Sequence, residues 1–159
     1  MQVDKLAEKL VFAKNNLERT SLLKDFNEQA DEKLAFALKE ICYSAWTKEP
    51  TKAQNAALAL ENLANFNPNE KIIAISAWIS GIACLTEGKI EDTVKNLETA
   101  NQIFLSINEE HLAAQTQVSK LYALALLGRY EEAVQCGKNA LEIFEKYKDE
   151  FKIVNFFLN

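Results

Sequence analysis

Apolar residues recur at steps of three and four positions along most of this chain. One such stripe runs from Ile90 to Phe104, and a second runs from Tyr130 to Phe144. Steps of three and four place side chains on one face of an α-helix, whereas a half-buried strand alternates every second residue. The pattern therefore predicts amphipathic helices that each bury one face against a neighbour.

The second stripe repeats the first, with position 128 standing in the place of position 88. Aligning residues 88–104 with residues 128–144 gives six identities in seventeen positions, where chance gives about one. A further apolar run precedes each stripe, at 72–86 and 112–127, and ends close to a glycine that can close a helix. Each unit is therefore predicted to be two helices joined by a tight turn. The identical pairs are Gly88/Gly128, Glu91/Glu131, Val94/Val134, Ala100/Ala140, Ile103/Ile143 and Phe104/Phe144.

A weaker unit lies one period upstream. Residues 34–46 are mostly apolar, and Pro50 falls where proline fits the first turn of a following helix. The opening segment has helical spacing from Val3 onward and predicts one more helix, interrupted near Thr20 and Ser21. The predicted organisation is a single domain over 1–159, with a leading helical segment (1–28), a degenerate repeat (33–65), two clearer repeats (72–106 and 112–147) and the start of a further or capping helix (150–159).

The clearer repeats resemble a known family. Gly128, Tyr130, Ala133 and Ala140 form the pattern Gly-x-Tyr-x-x-Ala with a second alanine seven positions on. On these residues the chain resembles the tetratricopeptide repeat (TPR) family, in a long-period bacterial form with a period of 40 and not 34. The resemblance implies an all-α fold, a right-handed superhelical solenoid of antiparallel helix pairs.

The two units differ where their helices are expected to cross. Gly81 matches the small residue that the family has at this crossing, whereas Leu121 takes the same place in the last unit. Gly137 stands where the family usually has an aromatic residue. We therefore expect the two crossings to be packed differently.

The resemblance also implies a binding surface, because in the family the first helix of each pair lines a concave groove. The lining would be apolar, with Lys39 as its only cation, so a clamp for a terminal carboxylate is not expected. An alternative stays open for Trp46 and Trp78, since aromatic residues at helical spacing also form cores. By register the groove residues are Lys39, Cys42, Trp46, Ile75, Trp78, Ile79, Ile82, Gln115, Ser119 and Tyr122.

Composition narrows the class of partner. Four Gly and two Pro in 159 residues are too few for an all-β chain with its frequent turns. A net charge of -5 lacks the basic surface that nucleic acids require. No stretch approaches the roughly 18 apolar residues of a membrane span, and charged residues fill the N-terminal region where a signal core would lie. We therefore expect a cytoplasmic protein that engages neither nucleic acid nor membrane.

The sequence offers little for catalysis. Its one histidine, His111, follows two glutamates near a predicted helix start and is interpreted as a surface residue. Cys42, Cys84 and Cys136 are odd in number and widely spaced, so we expect reduced thiols and neither disulfides nor a metal knuckle. No catalytic, cofactor-binding or metal-binding residue is predicted, and the chain is not expected to be an enzyme.

The expected function is protein–protein interaction. The chain would act as a scaffold, or as the sensing arm of a larger signalling protein, and would bind a partner segment in its apolar groove. The alternative is a regulatory sensor domain for a small molecule or short peptide, attached to a signalling ATPase or a CHAT-type protease.

The last residues suggest incomplete packing. Residues 151–158 contain six apolar side chains in eight, at the place where the repeat register would begin a fourth unit. We expect this segment either to continue into further chain or to mediate weak self-association. The side chains proposed for that contact are Phe151, Phe156, Phe157 and Leu158.

Overall fold

A computed structural model describes residues 1–148 of the chain. Within these residues every regular element is helical, which confirms the predicted all-α class. The predicted segment 150–159 and its four apolar contact residues lie outside the described residues. The helices are α1 (Val3–Phe12), α2 (Asn16–Asp25), α3 (Glu32–Ala45), α4 (Pro50–Phe66), α5 (Glu70–Thr86), α6 (Ile90–Ser106), α7 (Glu110–Leu126) and α8 (Tyr130–Lys146), with one turn of 3-10 helix at Asn27–Gln29.

From α4 onward the helices follow a regular rhythm. Each is 17 residues long. Their first residues are evenly spaced along the chain, at Pro50, Glu70, Ile90, Glu110 and Tyr130. Two such helices with their connections make up the period read from the sequence. Pro50 begins α4 at a position where its missing N–H costs no intrahelical hydrogen bond.

The rhythm also places a left-handed residue after each of the last four helices. Gly88, Asn108, Gly128 and Lys148 have φ between 52° and 74° and recur at the same even spacing. At Gly88 the left-handed turn lets the next N–H, that of Lys89, donate to the carbonyl of Cys84 at 3.0 Å, which satisfies a helix-terminal acceptor. The chain thereby reverses direction in a short connection.

The leading segment differs from the prediction. Two helices replace one, and the break falls at residues 13–15 instead of Thr20 and Ser21. Asn15 caps α2 by accepting a hydrogen bond from the N–H of Glu18 at 2.9 Å. Thr20 stays inside α2, where its hydroxyl donates to the carbonyl of Asn16 at 2.9 Å and leaves the helix intact.

A buried arginine fastens the break between these helices. Arg19 is 4% exposed, and its Nε donates to the carbonyl of Leu10 near the end of α1 at 3.0 Å. Its Nη1 donates to Oδ1 of Asn16 at 2.8 Å. Burial lowers the pKa of this guanidinium from its usual value, although such a group still keeps its proton at neutral pH.

Helices that follow one another in the chain pack against one another throughout, from α3 with α4 to α7 with α8. α3 and α5 also touch directly. The largest core cluster extends from α1 to the beginning of α7, and two smaller clusters lie among α5, α6, α7 and α8.

The α5–α6 crossing is close because Gly81 has no side chain. A Cβ added there would lie 3.2 Å from Cγ of Leu97, and the hydroxyl of Thr93 donates to the carbonyl of Gly81 at 3.0 Å. At the α7–α8 crossing the sizes are exchanged, since Leu121 stands at the position of Gly81 and Gly137 at that of Leu97. The two departures noted in the sequence are thus complementary changes in volume.

Candidate functional site

An apolar cavity of about 600 Å³ opens where α3, α5 and α7 meet. We call it the α3/α5/α7 groove. These three helices are the first members of successive pairs, and each contributes side chains to the same space. The lining residues are Tyr43, Trp46, Ile82, Leu85, Val118, Ser119, Leu121 and Tyr122.

Four of the ten predicted residues line this groove: Trp46, Ile82, Ser119 and Tyr122. Tyr122 is 48% exposed, whereas Ile82 is 3% exposed and belongs to the buried part of the lining. The rings of Trp46 and Tyr122 meet edge to face with centroids 6.3 Å apart. This pair joins α3 to α7 across the groove and forms its aromatic rim.

Four other predicted residues lie in the core instead. Cys42, Ile75, Trp78 and Ile79 are at most 1% exposed and offer no surface to a partner. For Trp78 the core alternative is therefore correct, and its ring meets that of Phe104 edge to face with centroids 6.0 Å apart. Replacing Trp78 by a charged residue would test the core and not the groove.

The error on α3 has a simple physical origin. Leu38, Cys42 and Ala45 lie on one face of α3 and are buried. Lys39 and Trp46 lie on a neighbouring face of α3, because each residue of a helix is rotated by about 100° from the one before it. Taking both faces as lining mixed the core stripe with the groove stripe.

Four lining residues are not among the ten predicted ones: Tyr43, Leu85, Val118 and Leu121. Tyr43 could have been found, because it lies four positions after Lys39 and three before Trp46, on the face that those two residues define. Leu85 likewise follows Ile82 by three positions. Leu121 carried no such signal, since its family position led us to expect a helix crossing.

A chain of hydrogen bonds lies between the groove and the core. Nε1 of Trp78 donates to the hydroxyl of Tyr43 at 2.8 Å, and that hydroxyl lies 3.0 Å from Oγ of Ser119. With its oxygen accepting from Trp78, the tyrosine can direct its own proton to Ser119. The contact links α3, α5 and α7 through side chains that are distant in sequence.

Burial raises the pKa of Tyr43 to about 12, which its hydrogen bonds with Ser119 and Trp78 only partly oppose. The hydroxyl is therefore neutral across the physiological range. Burial likewise raises the pKa of Cys42 to about 12, so its thiol is not a nucleophile at neutral pH.

Lys39 does not present a free cation to the groove. Its Nζ lies 5.2 Å from the ring centroid of Tyr43 and 5.0 Å from that of Trp78, and it pairs with Glu40 at 2.8 Å. The side chain is only 12% exposed. Its charge is thus already balanced by a carboxylate and two aromatic faces.

Gln115 lies away from the cavity lining. Its Nε2 is 3.0 Å from Nδ1 of His111, one helical turn earlier. The imidazole packs edge to face against Phe144 and Tyr147, with centroids 5.7 and 5.8 Å away. His111, in the first turn of α7, is therefore half-buried against the end of α8, in contrast to the surface position expected for it.

Among residues 1–148, no three His, Cys, Asp or Glu side chains are grouped as metal ligands would be. In the same part of the chain, no helix has the length and apolar character needed to cross a bilayer. Comparison with protein-family models, with curated proteins and with solved structures finds no match to this chain. The tetratricopeptide resemblance thus rests on the residues of this sequence alone.

Proposed function

We propose that this chain is a protein-interaction module that binds an apolar segment of a partner protein in the α3/α5/α7 groove. The observation that supports the proposal is that three alternate helices contribute to a single apolar cavity with an aromatic rim. In the arrangement we propose, the helix pairs stack as a TPR-like solenoid, and the groove is its concave face. Such a surface suits a scaffold or the sensing arm of a larger protein.

The chemistry of the lining favours an amphipathic helix or an extended segment with one or two large apolar anchors. Five of the eight lining residues are aliphatic or tryptophan. The polar groups of the lining are the hydroxyls of Tyr43, Ser119 and Tyr122 and the indole N–H of Trp46. Burying one large apolar side chain contributes about 1.5–3 kcal/mol, so two anchors would dominate the affinity. Leu126, 54% exposed one turn after Tyr122, would extend the contact along α7.

A suitable probe is a peptide selected against the full chain from a displayed library of amphipathic sequences. Trp46 lies at the rim while Trp78 is buried, so binding should shift Trp46 emission to shorter wavelength. The same titration with Trp46→Phe should lose most of this shift, because the remaining tryptophan is already shielded from water. A selected peptide that binds without changing Trp46 emission would contradict the proposal.

The volume of the groove supports a second candidate, a regulatory sensor of a small apolar ligand. About 600 Å³ falls within the range of about 300–1,000 Å³ typical of ligand pockets. Screening small apolar molecules for a rise in melting temperature tests this function. Val118→Trp, which fills the cavity, should abolish such a rise, and a rise that survives this change would place the ligand elsewhere.

A further inference from the structure

The hydrogen bonds between Trp78, Tyr43 and Ser119 end at the wall of the α3/α5/α7 groove. The indole N–H of Trp78 can only donate, and it donates to the hydroxyl oxygen of Tyr43 at 2.8 Å. That hydroxyl lies 3.0 Å from Oγ of Ser119. Trp78 is 1% exposed, whereas Tyr43 and Ser119 line the cavity. The hydrogen bonds therefore lead from a core residue to a serine that faces the site.

The proton of Tyr43 fixes the direction of these hydrogen bonds. Burial raises the pKa of Tyr43 to about 12, so its hydroxyl keeps the proton at neutral pH. Within residues 1–148 its hydrogen-bond partners are Trp78, whose indole has no acceptor, and Ser119. A hydroxyl shielded from water loses free energy when its proton has no acceptor, so Tyr43 donates to Oγ of Ser119. Ser119 then still has its own proton to donate.

The helix that carries Ser119 does not use this proton. A serine or threonine inside a helix can donate to a backbone carbonyl one turn earlier, as Thr116 of α7 does to Ala113 at 2.6 Å. Ser119 makes no such bond in the part of the chain that the structure describes, where its hydrogen bond is the one with Tyr43. Its hydroxyl is therefore available to donate to a group that enters the groove.

The surroundings of Ser119 favour an uncharged acceptor. Hydrogen bonds that run in one direction polarise one another, which makes the last hydroxyl a stronger donor. The lining residues carry no formal charge, and Nζ of the nearby Lys39 already pairs with Glu40 at 2.8 Å. Burying a carboxylate in such a cavity would cost more free energy than one hydrogen bond returns. A carbonyl oxygen is the acceptor that fits.

The main chain of a partner supplies such an oxygen in one conformation more readily than in another. Inside a helical segment, each backbone carbonyl already accepts a hydrogen bond from the same segment. An extended segment outside a sheet leaves its carbonyls free, next to side chains that point to alternate sides. One apolar side chain and an adjacent carbonyl can then enter the groove together.

We propose that Ser119 is the specificity-determining residue of the α3/α5/α7 groove, and that its hydroxyl donates to an uncharged main-chain carbonyl of an extended partner segment. The apolar side chain next to that carbonyl fills the cavity. This inference rests on the proposed function, because it names the partner chemistry of the same groove.

Substitutions of Ser119 test the proposal with the peptide selected against the full chain. Ser119→Ala removes the donor and Ser119→Thr keeps it. Ser80→Ala is the matched control, since it removes a serine hydroxyl from a surface between α4 and α5, outside the groove. We expect the dissociation constant to rise about five- to tenfold for Ser119→Ala and to stay within about twofold of the parent value for the other two variants.

A groove reshaped by the unpaired Tyr43 proton would also lower the affinity of Ser119→Ala. Peptide analogues in which one main-chain carbonyl at a time is replaced by an alkene separate the two causes. One analogue should bind the parent chain at least about fivefold more weakly than the selected peptide does. The same analogue and the selected peptide should bind Ser119→Ala with affinities within about twofold of each other, because the contact is already absent.

Two results would overturn the proposal. Binding of the selected peptide to Ser119→Ala within about twofold of the parent chain would mean that the hydroxyl does not contribute. Equal losses for every analogue on the parent chain and on Ser119→Ala would mean that no main-chain carbonyl contacts Ser119. In both cases the peptide still shifts Trp46 emission in the parent chain, whereas a failure of the proposed function removes that shift.

Discussion

Tyr43 is the residue at which the core and the groove meet. Its ring lines the cavity, and its hydroxyl accepts the indole N–H of the buried Trp78. A buried donor without an acceptor loses its hydration with no compensation, so this one oxygen stabilises the fold as well as shaping the site. No composition or periodicity argument could identify that role, because it depends on Ser119 and Trp78, which are distant in sequence.

Tyr43→Phe should therefore destabilise the chain by about 1–3 kcal/mol, since the Trp78 N–H loses its acceptor while the ring volume is kept. Chemical denaturation measures this difference. Ser119→Ala is the matched control and should cost about 1 kcal/mol or less, because Tyr43 still accepts from Trp78. A larger loss for Ser119→Ala than for Tyr43→Phe would contradict this assignment of donors.

The raised pKa of Tyr43 makes stability depend on pH in the alkaline range. Its pKa is about 12 in the folded chain against about 10 when unfolded, so between these values the unfolded chain releases the proton first. The contribution is complete below about pH 10 and is lost as pH rises toward about 12, up to about 3 kcal/mol. The pKa of Cys42 is also raised to about 12, and those of Lys71, Lys89 and Lys146 are raised above their usual value, so the comparison must be made with Tyr43→Phe.

The free energy of unfolding of the parent chain should fall more steeply from about pH 10 to about pH 12 than that of Tyr43→Phe. Denaturation curves at successive pH values give both slopes. Parallel slopes would mean that Tyr43 titrates alike in the folded and unfolded chains.

At the scale of helices, the hydropathy pattern predicts where helices lie better than individual helix-breaking residues do. The sequence repeat predicted α5 to α8 within a few positions, because α6 and α8 carry clear apolar stripes and α5 and α7 are apolar runs. A left-handed residue follows each of these helices. The leading segment was less predictable. There the break depends on the Asn15 cap and the Arg19 contact with Leu10, whereas Thr20 and Ser21 resemble a break only locally.

The left-handed residues after the helices lead to a specific prediction at this scale. Gly88→Ala should destabilise the chain by about 1–2 kcal/mol, because alanine is strained at φ of 73° although nothing lies within 4 Å of the added Cβ. Asn108→Gly is the control and should change stability by less than about 0.5 kcal/mol, since asparagine already tolerates the left-handed conformation. Thermal unfolding of both variants checks the prediction. If Gly88→Ala leaves the melting temperature unchanged, the turn does not require glycine.

For the whole molecule, register predicted which helices share a surface, but it did not predict how deeply each side chain is buried. Register transferred the binding role to the first helix of each pair, and α3, α5 and α7 do share one cavity. Register does not state how far each side chain lies from solvent, so buried residues such as Ile75 and Ile79 were included. That distinction requires the angles between helices, which a single sequence does not contain.

Binding in the α3/α5/α7 groove should depend little on salt. The lining residues carry no formal charge, and the nearby Lys39 is already paired with Glu40. We expect the dissociation constant of a selected peptide to change by about twofold or less between about 50 and 200 mM salt. Titrations at both salt concentrations measure this. A change of about tenfold or more would indicate an electrostatic contact outside the cavity.

The most direct test of the proposed interaction compares two half-exposed apolar residues on different surfaces. Tyr122 on the groove rim is 48% exposed, and Leu58 on α4 is 41% exposed and does not line the groove. The dissociation constant of the selected peptide should rise at least about tenfold for Tyr122→Glu and stay within about twofold for Leu58→Glu, with both variants retaining the helical circular dichroism of the parent. Equal affinity of Tyr122→Glu and the parent chain, or equal weakening by both substitutions, would contradict binding in the α3/α5/α7 groove.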